Sequence, residues 1–470
     1  MTFLDRLTRN RSRIASAPAD PMAPLREQLT GRLAVPSDVD WDAASQAWNL
    51  AVTQRPRAVV HAATARDVIA AVEFAAAHDL TVSAQPGGHG ATRALDDTIL
   101  VRTGALDDIW IDADARVARV GAGVKWGQLQ KALAGTGLTG LVGSNADVTV
   151  VGFCLSGGLS WFSRAFGAGA HSLRAVELVD ARGKHRWVSE ESDPELMWAL
   201  AGGGGDFGIV TAAEIALHPV PDLHGGRVAF PAAQAREVLA AFASATAVAP
   251  AETTLWASLM HFPPLPMLPE EIRGQSFVFV DALHVGSSAD LDGALASIRA
   301  AGTVLRDGVG PLRPEQVADV CEEPVDPSPA TTRSWSLRTL DDEVLDRIVS
   351  LAGDGSGTPL TQVQIRHLGA ALRTADPART ATGSVAAEYQ VMTLAMVPDA
   401  GFAAPVAAAT TALGRALADW DAGPTVLSFL GESQSVADAF DAETLERLRS
   451  VKESVDPAAT VRGNYPVRGR

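Results

Sequence analysis

The chain has 470 residues, 47% of them hydrophobic, which is enough for two or three domains and a large buried core. A formal net charge of −16 argues against nucleic acid or an anionic membrane surface as a main partner. The two cysteines, Cys154 and Cys321, are too few for a disulfide framework or a metal cluster. No window approaches the roughly 18 apolar residues of a membrane span, and no apolar segment follows the basic stretch 1–13, so we expect a cytoplasmic protein.

The first 50 residues are predicted to form a polar lead-in, with a short helix over residues 24–33. An apolar run at Ala58–His61 then predicts a buried strand. Thr64 and Asp67 have the spacing of a helix N-cap, and the apolar residues that follow predict a helix over residues 67–78.

The next predicted strand, residues 80–84, ends in the glycine-rich turn Gln85-Pro86-Gly87-Gly88-His89-Gly90-Ala91. Two consecutive glycines let backbone N–H groups point into one concavity, which suits a phosphate or pyrophosphate. His89 could serve there as a base, a ligand or a covalent anchor. A tight turn without a ligand is the alternative for this motif taken alone.

A predicted hairpin at residues 109–120 leads into Gly121-Ala122-Gly123-Val124-Lys125-Trp126-Gly127, which is similar to a dinucleotide-binding fingerprint. Its third glycine comes one residue too late, and its strand belongs to a hairpin rather than to a strand–helix–strand unit. We therefore predict a helix start here and not a Rossmann domain.

Two more glycine clusters precede residue 211, one within residues 141–161 and the other at residues 202–208. Glycine lets the backbone approach a ligand closely, so one long ligand with a pyrophosphate centre would explain all three clusters together. The P-loop signature Gly-x-x-x-x-Gly-Lys-Ser/Thr is absent from the sequence.

In combination, Pro86-Gly87-Gly88-His89-Gly90, residues 150–161 and residues 202–211 resemble the FAD domain of the vanillyl-alcohol oxidase / p-cresol methylhydroxylase superfamily. The most similar branch is the berberine-bridge-enzyme-like and 6-hydroxynicotine-oxidase-like flavoproteins. Residues 455–466 resemble the closing segment that returns to the flavin in this family. The resemblance implies an α+β fold, with a two-part FAD-binding domain of PCMH type and an antiparallel-sheet substrate-binding cap. The implied boundaries are 1–50 for the lead-in, 51–220 for the FAD domain, 221–430 for the cap and 431–470 for the C-terminal segment.

The resemblance also implies cofactor roles for individual residues. His89 matches the histidine that bonds covalently to the flavin 8α-methyl group in many members. The second, cysteinyl link of some members would fall close to Asn145, nine residues before Cys154. We therefore predict FAD with one covalent link at His89, no cysteinyl link, and Cys154 as a small buried hydrophobic residue. The residues implied to bind FAD are Pro86, Gly87, Gly88, His89, Gly90, Ala91, Gly143, Asn145, Val148, Gly152, Gly157, Gly158, Val210, Asn464 and Tyr465.

The cap region contains fewer motifs, and its organisation is predicted from apolar periodicity. Strands are expected at residues 254–262, 277–285, 360–368 and 388–397, and helices at residues 232–247, 290–301 and 405–420. Alternation places Gln362, Gln364 and Arg366 on one strand face and Val363 and Ile365 on the other. The polar face is directed either to the flavin or to solvent at a sheet edge. The predicted substrate-binding residues are Trp256, Gln362 and Gln364.

The cap departs from the branch where catalytic groups are expected. A Tyr-x-Asn motif is replaced by Val426-Leu427-Ser428-Phe429, and an earlier His-Arg pair by Gly383-Ser384-Val385. The usual tyrosine base is therefore missing. The remaining candidates for a base are Tyr389, His367 and His261; alternatively, hydride leaves an amine or activated alcohol without a strong base.

The sequence thus predicts an FAD-dependent oxidoreductase of secondary metabolism. It would transfer hydride from a small apolar or aromatic alcohol or amine to a covalently held flavin, which oxygen or another acceptor reoxidises. No nucleic acid, membrane or metal is expected as a partner. The rivals are a flavin-binding protein with an inactive cap and a structural protein that has lost FAD.

Overall fold

A computed structural model describes residues 20–264, 266 and 268–469. The basic stretch 1–13 lies outside these residues. Within the described ranges the chain forms three large β-sheets and one two-stranded sheet made by Leu138–Thr139 and His218–Pro219. None of the helices in these ranges is both long and apolar enough to cross a membrane.

The first sheet contains the strand that leads to His89. Its four strands lie in the order Arg32–Ala34, Ala58–His61, Thr98–Arg102 and Thr81–Ala84, and the last three are parallel. The helix Ala65–Ala77 begins at the predicted N-cap, Thr64, which forms a capping box with Asp67. The helix predicted over residues 24–33 was wrong in length: only Ala23–Arg26 is helical, because residues 32–34 pair with the strand Ala58–His61.

The second sheet is antiparallel, and its strands lie in the order Ile109–Asp112, Val117–Gly121, Ile209–Ala216, Leu173–Val179 and His185–Ser189. The predicted hairpin is its first strand pair. As predicted, the following glycine-rich stretch starts a helix, Trp126–Ala132. A Cβ at Gly123 would overlap the carbonyl oxygen of Thr103, so close chain packing accounts for this glycine. The other helices packed around this sheet are Val150–Leu155, Ser163–Phe166, Pro194–Leu200 and Ala442–Val455.

The third sheet forms the cap and is antiparallel throughout. Its long strands lie in the order Leu223–Pro231, Ser276–Val285, Thr253–His261, Gln362–His367, Tyr389–Met396 and Ala330–Leu337. The short strands Arg306–Asp307 and Gly310–Pro311 pair with the first of these. The helices of this region are Ala235–Val248, Ser288–Ala300, Asp342–Ala352 and Ala400–Leu417.

All four strands and all three helices predicted for the cap are present. Two long strands, the two short strands Arg306–Asp307 and Gly310–Pro311, and one helix were missed. The two long strands and the helix each have a local reason. Gly225 and Gly226 interrupt the apolar pattern of Leu223–Pro231, and Ala330–Leu337 is mostly polar. The helix Asp342–Ala352 is short and rich in charged residues, with one narrow apolar face.

The orientation of the cap strand Gln362–His367 decides whether its polar face is directed towards the proposed flavin site or towards solvent at a sheet edge. Val363 and Ile365 are buried in the core between the sheet and its helices. Gln362, Gln364 and Arg366 are also buried, on the opposite face, and the strand lies in the middle of the sheet. The polar face is therefore directed towards the first two sheets, and the solvent-edge alternative was wrong.

The C-terminal segment closes the first sheet beside the His89 turn. Val82 donates its backbone N–H to Thr460 O at 2.8 Å and accepts from Arg462 N at 2.9 Å. The segment is anchored by the buried Lys452, whose Nζ donates to Asp206 O, Asp456 Oδ2 and Val461 O at 2.5, 2.7 and 2.7 Å. All three ammonium N–H groups are thereby used.

We predict that Lys452→Ala destabilises the protein by about 3–5 kcal/mol, because it leaves the buried carboxylate of Asp456 without its cation. Urea unfolding followed by circular dichroism measures this free energy. The control is Arg379→Ala, which removes an exposed pair with Glu190 and should cost less than about 1 kcal/mol. Equal losses in the two variants would contradict the anchoring role of Lys452.

Candidate cofactor and substrate site

The His89 turn is held in one conformation by a buried arginine. Gly88 has φ of 96°, and a Cβ there would lie 2.9 Å from the Ala47 Cβ, so only glycine fits. Arg102 Nη1 donates to Gln85 O at 3.0 Å and to Gln85 Oε1 at 2.9 Å. Its Nη2 donates to Gln46 O at 2.7 Å, which ties the turn to the lead-in. Burial lowers the pKa of Arg102 to about 10, so the guanidinium stays charged at neutral pH.

The His89 ring stacks on Trp48, with centroids 4.1 Å apart and planes 16° from parallel. Its Nε2 is buried and has no hydrogen-bond partner among the described residues, the nearest carboxylate oxygen being Asp147 Oδ2 at 3.6 Å. Burial lowers the pKa of His89 to about 4, although Asp147 opposes this shift. The imidazole is therefore neutral at pH 7, which is the form that can act as a nucleophile.

The C-terminal segment lies against the same turn. Thr92 Oγ1 donates to the backbone oxygen of Asn464 at 2.7 Å, and the side-chain Oδ1 of Asn464 is buried without a partner in the described chain. Tyr465 OH donates to Leu430 O at 2.7 Å, and burial raises the pKa of this phenol. The structure thus brings Asn464 and Tyr465 to the turn that contains His89.

The second glycine cluster forms the opposite wall. Asn145 Oδ1 accepts from Asp147 N at 2.8 Å, and Asn145 Nδ2 donates to Pro324 O at 3.1 Å. Gly157 and Gly158 have φ of 90° and 69°, and a Cβ at Gly158 would overlap the Phe153 ring. These two glycines are required by the fold itself, whether or not a ligand approaches them.

The remaining predicted cofactor residues differ in their surroundings. A Cβ at Gly143 would lie 3.1 Å from the Phe153 ring, and one at Gly152 would lie 2.9 Å from Thr149 Oγ1. Val148 is half-buried, and Val210 is buried in its strand. The residues Pro86 to Ala91 follow the strand Thr81–Ala84 directly.

Several observations fit an extended polar ligand between these walls. Gln85 Nε2, His89 Nε2 and Asn464 Oδ1 are buried polar atoms without partners in the described residues, which is costly unless something binds them. A Cβ at Gly90 would have no atom within 4 Å. A small cleft opens beside the turn, and its lining includes His89, Thr331 and Tyr465.

Comparison with known proteins identifies the ligand class. Residues 56–189 match the family described as an FAD binding domain. The chain is 31% identical over 195 residues to (R)-6-hydroxynicotine oxidase of Paenarthrobacter nicotinovorans, and 36% identical over 180 residues to the FAD-dependent monooxygenase FUP4 of Fusarium proliferatum. Residues 56–189 therefore belong to the FAD binding domain family.

The matched stretches cover 41% and 38% of this chain and span 43% and 35% of these two relatives, which is less than half of either. Solved structures extend the likeness of the fold to the whole chain. BBE-like 1 of Physcomitrella patens has a TM-score of 0.83 at 19% identity, and covers 95% of this chain and 99% of that one. The 6-hydroxy-D-nicotine oxidase of Arthrobacter nicotinovorans has a TM-score of 0.81 at 23% identity, and covers 93% and 98%. The predicted fold class is thereby confirmed.

The three predicted bases lie away from the polar face of the cap. Tyr389 OH is hydrogen-bonded to Thr246 Oγ1 at 2.7 Å. His367 Nε2 lies 2.9 Å from Arg164 Nη1. His261 contacts Ser276 Oγ through Nδ1 and Ala352 O through Nε2, both at 2.8 Å.

The positions of these bases follow from strand alternation. His367 and Tyr389 share a face with Val363 and Val391, which pack in the helical core. His261 contacts the end of a helix on that side. The structure does not bring any of the three to the face of Gln364, where a base acting on a substrate at this face would have to lie.

The predicted substrate residues, by contrast, share the inner face. Trp256 stacks on Trp161 of the FAD-binding region, with ring centroids 3.5 Å apart. Gln362 Nε2 donates to Ser258 Oγ at 3.1 Å, and Gln364 Oε1 accepts from Arg366 Nε at 2.6 Å. This face is therefore a hydrogen-bonded polar layer.

Sequence reasoning left three neighbours of the site unassigned. Asp147 could have been found as an acidic residue within the second glycine cluster. Trp48 and Ser144 gave no local signal, because their contacts to His89 and Arg366 join distant parts of the chain. Cys154 is fully buried, and burial raises its pKa to about 12, which confirms its interpretation as a buried hydrophobic residue.

We predict that His367→Gln makes the protein less sensitive to acid. Burial lowers the pKa of His367 to about 3, so the folded state keeps it neutral while the unfolded state takes up a proton below the ordinary pKa of about 6.5. The His367 imidazole therefore has no effect on the free energy of unfolding above pH 6.5, and it lowers this free energy as the pH falls from 6.5 towards 3. The free energy of unfolding should therefore fall between pH 7 and pH 4.5 in both proteins, but by about 2 kcal/mol less in the variant than in the wild type. Equal differences would contradict the buried neutral state.

We also predict that Gly90→Ala folds normally but loses most of its FAD. The added methyl group has open space in the chain itself, so only a bound cofactor can clash with it. The measurements are the melting temperature and the flavin absorbance per protein. Gly293→Ala, in the helix Ser288–Ala300, also has open space and should keep full flavin. Full flavin in Gly90→Ala would show that FAD does not occupy this space.

Proposed function

We propose that the chain is an FAD-dependent oxidoreductase acting on a small aromatic or apolar alcohol or amine, with FAD linked covalently to His89. The observation that supports this most is the half-buried His89 imidazole, whose Nε2 atom is itself buried. Its Nε2 has no partner among the described residues, and it lies at the tip of a glycine turn inside the region that matches an FAD binding domain.

The residues around the His89 turn would hold the cofactor. The turn 86–91 offers backbone N–H groups for the pyrophosphate, and Asn464 offers its unpartnered Oδ1. When bound, FAD supplies the acceptor for a hydride. The protein then contributes binding, orientation and exclusion of water.

His89 and Asp147 would supply the nucleophile and a proton acceptor for the covalent link, while FAD itself would supply the electron acceptor. A neutral imidazole has a free lone pair at one ring nitrogen and a proton at the other. Asp147 Oδ2, at 3.6 Å from Nε2, is placed to accept a proton from this ring after a small movement. Lys125 pairs with the other oxygen of Asp147.

The inner face of the cap indicates the type of substrate. Met260, Met392 and Leu394 are half-buried there, beside the layer of Gln362 and Gln364. Since no predicted base reaches this face, an amine or an activated alcohol that needs little base assistance is favoured. The name of the relative 6-hydroxynicotine oxidase supports a small-molecule substrate. Oxygen as the acceptor and a cytoplasmic location are further parts of this proposal.

A second candidate is a flavin-binding protein whose cap has lost catalysis. The observation that favours it is the position of Tyr389, His367 and His261 on the far side of the cap. Anaerobic mixing of the purified flavoprotein with aromatic amines and alcohols separates the two candidates. Bleaching of the flavin band supports the oxidoreductase, and persistence of the band with every compound supports the second candidate.

We predict that the purified protein is yellow and that its flavin stays with the pellet after acid precipitation. His89→Ala should release its flavin into the supernatant, because the variant has no nucleophile for the link. His171→Ala, which removes a half-buried histidine bonded to the backbone of Gly383, is the control and should keep its flavin in the pellet. Flavin in the wild-type supernatant would refute the covalent link, and a colourless wild-type protein would refute the proposed function.

A further inference from the structure

Arg366 is a buried arginine on the cap strand Gln362–His367, and it lies on the inner face of the cap sheet, which is directed towards the FAD-binding region. The Arg366 side chain is buried, and the residue is 3% exposed. Its Nε donates to Gln364 Oε1 at 2.6 Å and its Nη2 to Ser144 Oγ at 3.0 Å. The rings of Trp256 and Phe429 lie 3.8 and 4.8 Å from its guanidinium carbon.

No carboxylate of the described residues is hydrogen-bonded to this guanidinium, although Glu323 and Asp281 act on its charge from a longer distance. No carboxylate of the described residues lies within 4 Å of it. The nearby Asp281 is bound to another buried arginine, Arg227, through hydrogen bonds of 2.6 and 3.0 Å. A buried charge without a partner is costly, so such groups in proteins are normally paired.

Two other buried arginines show how the chain compensates a charge without a carboxylate. Arg102 donates to backbone oxygens of residues 44–46 and to both oxygens of Gln85. Arg164 donates to carbonyl oxygens at residues 249, 250, 253 and 368. Arg366 instead has two neutral side-chain partners, and its Nη1 has none among the described residues. Its hydrogen-bonding capacity is therefore only partly used.

The position of Arg366 points to the substrate rather than to the fold. Ser144 stands between Gly143 and Asn145, which are the proposed cofactor residues of the second glycine cluster. Arg366 therefore lies where the cap meets the proposed flavin wall. The free N–H groups of Nη1 and Nη2 form one edge of the guanidinium, and such an edge matches the two oxygens of a carboxylate.

We propose that Arg366 binds a carboxylate of the substrate, so that the substrate is a small aromatic or apolar acid. Trp256 and Phe429 would contact the apolar body of that molecule. This inference rests on the proposed function, which supplies the reaction, and adds the class of molecule that the site selects.

Calorimetric titration of the purified holoprotein with benzoate and with its neutral analogue benzamide tests this inference. Wild-type protein should bind benzoate roughly tenfold or more tightly than benzamide, as expected for a charge-assisted hydrogen-bonded pair. Arg366→Gln should bind the two compounds equally, and Arg366→Lys should keep part of the preference because it retains the charge.

Arg333→Gln is the matched control. Arg333 lies on the neighbouring part of the same sheet but pairs with Thr393, whose strand neighbours Val391 and Ala395 face the helical core. This variant should keep the wild-type preference for benzoate. Melting temperatures show whether each variant is folded. If Arg366→Gln does not fold, the inference is tested by the preference of the wild type for benzoate over benzamide and by the partial preference expected of Arg366→Lys.

Equal binding of benzoate and benzamide to the wild type, or an unchanged preference in folded Arg366→Gln, would overturn the inference. Such a result leaves the proposed function standing if the flavin is present and is bleached by uncharged substrates. A protein without flavin would instead refute the proposed function, and the calorimetric preference for benzoate would still report on the arginine site.

Discussion

The arrangement of the cofactor site depends on one buried ammonium group. Lys452 donates one hydrogen bond to Asp456, one to the loop at Asp206 and one to Val461 of the C-terminal segment. Asp206 in turn accepts the backbone N–H groups of Gly463 and Val467 at 2.8 and 3.1 Å. Asn464 is therefore held between two fixed points, since its neighbours on both sides are bound.

In this cluster every buried charge is compensated by its neighbours. Each charge of the cluster is satisfied by another charge or by oriented backbone groups, which is the condition under which buried ions are tolerated. The same principle explains Arg102 and Arg164, each of which joins segments that are distant in the chain. Arg164 is of particular importance because it joins the FAD-binding region to the cap.

The cap combines a familiar fold with an altered inner surface. The inner face of the cap sheet presents amides, a serine and a guanidinium, and none of the three predicted bases. Phe429, in the segment that replaces the Tyr-x-Asn motif, lies against Arg366. A shared fold therefore does not settle the chemistry, which depends on the few side chains that face the cofactor.

Much of the fold and part of the site could be predicted from the sequence, because glycine turns and apolar periodicity are local properties. The His89 turn, the capping box at Thr64 and the four cap strands all arise from residues close together in the chain. Strand alternation was also sufficient to predict the orientation of His367. This residue shares its strand face with Val363 and Ile365, so it is directed to the helical core. Only the tertiary structure decided that the polar face of this strand is buried, since this depends on which face the helices cover.

The contacts that complete the site join residues far apart in the chain. Lys452 and Asp206 are 246 residues apart, and Arg366 and Ser144 are 222 apart. By itself the sequence determined most of the strands and helices and the positions of the glycine turns, because backbone preferences and apolar periodicity act over a few residues. The tertiary structure alone decided which side chains meet and which buried charges find partners, because these depend on how sheets pack across the whole chain.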